Sequence, residues 1–97
     1  MTGETVRPKL DVVVEERVHH LPLYRVLLHN DDVNYAQYVV KVLQEVFHFD
    51  QHEAEAIMLE AHQTGVALCV IEPLEQAEFH AGQLTSARLT ATIEPEG

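Results

Sequence analysis

Six consecutive apolar residues, Val66-Ala67-Leu68-Cys69-Val70-Ile71, stand between Gly65 and Pro73. The run is too short for a buried helix and too apolar for a half-exposed strand, so it predicts a strand buried on both faces. Such a strand needs partners beside it and cover above it. A chain of 97 residues, 46% of them hydrophobic, makes one domain with one modest core. The partners and the cover must therefore come from the few other patterned segments.

Those segments can be read in order. Residues 23–29, LYRVLLH, follow Pro22 and are rich in branched and aromatic side chains, which predicts a strand. Asn34 then stands as an N-cap with Gln37 three residues on, a capping-box pattern. Apolar residues at 35, 39, 42, 43 and 46 keep helical spacing, with Gln37, Lys41, Gln44 and Glu45 on the opposite face. Asp50 and Glu53 repeat the box, and Ala54, Ile57, Met58 and Ala61 supply the stripe of a second helix. Gly65 ends it, because glycine accepts the left-handed position after a helix. Pro73 opens a third helix whose inward stripe is Leu74, Ala77, Ala81 and Leu84. Residues 88–94 alternate, with Leu89, Ala91 and Ile93 on one face, which predicts a half-exposed strand. The order is β-α-α-β-α-β, an α+β fold of two layers with a three-stranded antiparallel sheet against three helices. The polar, proline-bearing segment 1–22 reads as a flexible extension, in which residues 11–14, DVVV, pair at most transiently as a strand. Residues 23–94 are the core and 95–97 a short tail.

Composition removes several function classes. The net charge is −10 and only six residues are Lys or Arg, so no basic stripe for nucleic acid exists. No apolar run approaches the ~20 residues of a membrane span, and the polar start has no signal-peptide pattern. The lone Cys69 permits no internal disulfide and reads as a small buried hydrophobe. These points together predict a cytoplasmic protein in a reducing compartment. No glycine-rich phosphate loop, nucleophile elbow or activated Cys-His pair is present, so no catalytic residue is expected.

The sharpest polar feature is Asn30-Asp31-Asp32 at the end of the first strand. Spacing alone favours turn chemistry and helix capping. The second helix offers an alternative, since Met58 and His62 lie on one of its faces, four residues apart. Were that face beside the first strand, an amide oxygen, a carboxylate and a neutral imidazole would surround one point. Three acceptors suit an –NH₃⁺ group with its three donors. A metal is a third option, but the His19-His20 pair and the His48, His52 pair lack a convincing ligand pattern, so no metal or cofactor is expected.

In order and spacing, the N-D-D turn, the V-x-x-V-L-Q-x-x-F helix from Val39 to Phe47, and the A-x-x-I-M-L-x-x-H-x-x-G segment from Ala54 to Gly65 resemble the ClpS adaptor family. The resemblance spans Tyr24 to Glu94. It implies an adaptor, not an enzyme, that binds proteins with a bulky hydrophobic N-terminal residue and delivers them to a Clp AAA+ unfoldase of ClpA or ClpC type with its peptidase. It implies that Asn30, Asp31 or Asp32, and His62 hold the substrate α-ammonium. It implies an apolar pocket of Asn34, Ala36, Val39, Met58, Ala61 and Leu89 for the first side chain. On the third helix it implies an unfoldase contact through Glu75 and the position of His80; Phe79, off the inward stripe by helical spacing, either packs on a neighbouring element or is exposed to join that contact.

The departures from the family are specific. Ala36 stands where methionine is common and Ala61 where valine is common, and both widen the pocket. Asn34 replaces a common threonine, and His80 a lysine. The alternative is a domain that docks on a Clp unfoldase without reading N-termini.

Overall fold

A computed structural model of the chain describes residues 21–97. The extension expected over 1–22, with its DVVV segment, lies outside the described residues except for Leu21 and Pro22. The elements are β1 (Leu23–His29), α1 (Ala36–Phe47), α2 (Gln51–Thr64), β2 (Val66–Pro73), α3 (Leu74–Ser86) and β3 (Thr90–Pro95). Their order is the expected one, and β1 is the central strand of an antiparallel sheet ordered β2-β1-β3.

The two helix starts differ. At α2 the capping box forms: the Asp50 carboxylate accepts from the Glu53 N–H at 2.8 Å, and the Glu53 carboxylate accepts from the Asp50 N–H at 3.4 Å. At α1 the expected box is absent, because the N-cap is Tyr35 and no side chain caps the helix. Asn34 lies one residue earlier and its amide is engaged elsewhere. Gly65 closes α2 with φ 94 and donates its N–H to the Ala61 carbonyl, a left-handed position that glycine accepts without steric cost.

The expectation that 66–71 is buried on both faces is corrected. Among the described residues β2 pairs only with β1; Ala67 and Cys69 are buried, while Leu68 and Ile71 are each 40% exposed. The register shifts between Val26 and Leu27, so Cys69 stands unpaired in a bulge. Hydrophobicity alone does not distinguish an edge strand with an apolar outer face from a central one. Burial pushes the Cys69 thiol up to about 12, with the Leu28 backbone pulling weakly the other way.

The core lies between the inner face of the sheet and the three helices. Val26, Leu43 and Leu84 are its largest fully buried side chains. Truncating such a leucine to alanine costs about 2–5 kcal/mol, a large share of a small domain's stability. Four of the buried residues, Ala54, Ala61, Ala67 and Ala77, are alanines, which let the helices approach the sheet closely. Leu74 is partly exposed, so the α3 stripe is carried by Ala77, Ala81 and Leu84. Among the described residues nothing covers the outer face of the sheet. Arg25 and Glu94 pair across it at 3.2 Å, and His29 Nε2 lies 2.7 Å from Thr92 Oγ1. Both groups of the ion pair are well exposed, so it stabilises by no more than about 1 kcal/mol.

Candidate functional site

Asn30 follows β1, and its N–H donates to the Gly65 carbonyl at 3.0 Å. That bond ties the end of β1 to the end of α2, whose last turn carries His62. Asp31 then folds the chain back. Its Oδ1 accepts from the N–H groups of Val33 at 3.0 Å and Asn34 at 2.9 Å. The Asn34 side-chain amide lies 3.3 and 3.2 Å from the two Asp31 oxygens. The Asn34 backbone N–H holds the Asp31 carboxyl below the ordinary carboxylate range. Partial burial pushes against this, and the Asn34 amide and Val33 N–H add to the lowering.

The same Asn34 amide also donates to the Arg88 carbonyl at 2.9 Å, and the Tyr38 hydroxyl donates to the Ala87 carbonyl at 2.7 Å. The start of α1 is thus bonded to the turn before β3. Arg88 occupies that turn with φ 71, and the Leu89 N–H donates back to Leu84. Leu89 is thereby turned inward and buried.

These ties enclose a cleft of about 370 Å³, within the usual range for ligand pockets. It brings together Asn30, Asp31, Asp32, His62, Asn34, Ala36, Val39, Met58, Ala61 and Leu89, all ten of the residues expected at the ammonium and pocket positions. Leu28, His29 and Leu59 also line it and were not anticipated. Leu28 had a readable signal, its inward parity on β1, whereas Leu59 is a rim residue off the helical stripe. Polar acceptors from the β1–α1 loop and His62 meet an apolar wall of Leu28, Val39, Met58, Ala61 and Leu89. Asp32 is exposed and Asp31 is half-buried within its own turn. Such an arrangement can hold a cation with several donors joined to an apolar group. Among the described residues no three His, Cys, Asp or Glu side chains are grouped to hold a metal ion, and no helix is long and apolar enough to cross a membrane.

The three α3 residues lie apart from the cleft. Glu75 is exposed and Phe79 is 62% exposed. His80 is not free: Nδ1 lies 2.6 Å from a Glu72 carboxylate oxygen, and the ring packs on Phe47 with centroids 4.9 Å apart.

Fold and cleft together define a small α+β domain whose pocket is lined by both polar and apolar side chains. The family described as ATP-dependent Clp protease adaptor protein ClpS matches residues 19–92. An adapter protein ClpS from Synechococcus elongatus is 50% identical over 99% of both chains. Another, from Synechococcus sp. (strain CC9902), is 46% identical over 90% of this chain and 85% of its own length. ClpS2 of Agrobacterium tumefaciens, solved bound to L-phenylalaninamide, is 32% identical with a TM-score of 0.74, covering 77% of this chain and 98% of that one. The chain belongs to the ClpS family of Clp protease adaptors.

Proposed function

We propose that this adaptor binds proteins through a free N-terminal α-ammonium and a bulky hydrophobic first side chain, and hands them to a Clp AAA+ unfoldase for degradation. The observation that carries the reading is the single cleft lined both by Asn30, Asp32 and His62 and by the apolar Leu28, Val39, Met58, Ala61 and Leu89. An α-ammonium has three donors, and charge-assisted bonds to it are stronger than neutral ones. The first side chain gains ~0.8 kcal/mol for each CH₂ taken from water. The ligand named in the Agrobacterium structure has the same two parts, an amine beside a benzyl group.

Between the two aspartates, Asp32 is the ammonium ligand in this reading. Asp31 already accepts from two backbone N–H groups and the Asn34 amide, so its role is to hold the loop that carries Asn30 and Asp32. Asn34 is likewise committed to Asp31 and Arg88 and acts as a wall. Ala36 and Ala61 leave room for large aromatic side chains. On α3, Glu75 and Phe79 are presented to the unfoldase, while His80 is braced by Glu72 beneath them.

The test is a peptide array that varies only the first residue, free or acetylated. Free Phe, Tyr, Trp or Leu should bind. Acetylation removes both the charge and two donors and should abolish binding. Equal binding of blocked and free peptides overturns the reading.

A further inference from the structure

A peptide held by its N-terminus must leave the cleft somewhere, and the walls give one route. Among the described residues a second groove of about 600 Å³ shares Ala36, Met58 and Leu59 with the cleft. It lies between α1 and α2. Besides the apolar Val40, its own lining is polar: Gln37, Lys41 and Gln44 from one helix, Gln51 and Glu55 from the other. Val33 and Tyr35, in the loop before α1, are 86% and 84% exposed and line neither hollow.

We propose that this groove is the subsite for residues two to four of the substrate, an extended peptide segment. The inference rests on the N-terminal reading above. From Ala36 to Gln44 is eight helical residues, about 12 Å at 1.5 Å each. An extended peptide advances ~3.3 Å per residue, so three to four residues fill that length. The small Ala36 side chain leaves the passage between the two hollows open. Glutamine amides both donate and accept, so they can bond an extended main chain whatever its side chains. The Gln51 amide nitrogen already donates to Glu55 at 3.1 Å, which leaves its oxygen as an acceptor. Lys41 and Glu55 place one charge of each sign in the lining. The groove therefore tolerates many sequences, and its residual preference is electrostatic.

The experiment uses the full chain and titration calorimetry with three probes: phenylalaninamide, and amidated tetrapeptides that begin with Phe and carry either Glu or Lys at positions three and four. Two variants reverse the charge of exposed groove residues that lie outside the cleft, Lys41→Glu and Glu55→Lys. The unaltered chain should bind both tetrapeptides more tightly than phenylalaninamide. Lys41→Glu should favour the Lys peptide over the Glu peptide by about two- to fivefold relative to the unaltered chain, and Glu55→Lys should shift the ratio equally the other way. Phenylalaninamide affinity should not change in either variant. If phenylalaninamide binds but the tetrapeptides bind no more tightly and ignore both variants, the subsite is overturned while the pocket stands. If phenylalaninamide itself does not bind, the pocket reading falls and takes the subsite with it.

Discussion

The starts of α1 and α2 carry the same kind of signal, Asn34 with Gln37 and Asp50 with Glu53, yet only the second closes as a capping box. At α2 both side chains satisfy backbone N–H groups of their own helix. At α1 the asparagine is drawn backward to Asp31 and across to Arg88, and the helix begins two residues later without a side-chain cap. A cap residue serves local stability when nothing else competes for it. Here a preceding aspartate competes, and the outcome is a rigid, acidic loop at the mouth of a cleft.

Ligand affinity separates the two helix starts most directly. His62→Ala or Asp32→Ala should weaken phenylalaninamide binding about ten- to hundredfold, the weight of one charge-assisted hydrogen bond. Asp50→Ala should leave it unchanged, and calorimetric titration separates the two. A comparable loss in Asp50→Ala would remove the distinction between a capping start and a binding start. Next in size, Asp50→Ala should cost about 1 kcal/mol of stability by denaturant unfolding. The Cys69 thiol, buried and held in its protonated form, provides a second readout. Its alkylation should be slow in the native chain, faster in Asp50→Ala, and little changed in Asp32→Ala.

The smallest effect is acid titration of the α1 start. The Asp31 carboxyl is held below the ordinary range in the folded chain, so its contribution to stability is complete above that range. It is lost progressively as pH falls from the ordinary carboxylate range through the lowered folded value. The amide resonances of Val33 and Asn34 should therefore stay at their neutral-pH positions through the ordinary carboxylate range and move only below it. In Asp31→Asn that acid step should vanish. Movement of both amides at ordinary carboxylate pH would show that Asp31 does not hold the loop.

Much of the fold was legible because its signals are local. The helical stripes through Val42 and Leu43 and through Ala54 and Ala61, the Gly65 stop and the alternation of 88–94 all report nearest neighbours in the chain. The exposed face of β2 was not legible. Leu68 and Ile71 read as buried because composition says nothing about where a strand sits in a sheet. Periodicity did not establish the approach of His62 to Asn30 either; it depends on the Asn30–Gly65 bond, between residues 35 positions apart. The residues of the cleft were reached through the order of motifs shared with a family. The engagement of His80 with Glu72 was hidden for a different reason: α3 carries one partner and β2 the other.

The exposed apolar residues of β2 have a consequence for the protein as a solute. Among the described residues β2 is an edge strand with Val66, Leu68 and Ile71 exposed, a surface on which another copy can stack or pair. At neutral pH a net charge of −10 keeps molecules apart by mutual repulsion. That repulsion disappears near the isoelectric point of about 4.9. Colloidal stability should therefore be lowest there, and Leu68→Lys, which places a charge on the sticky strand, should move the onset of light scattering to higher concentration.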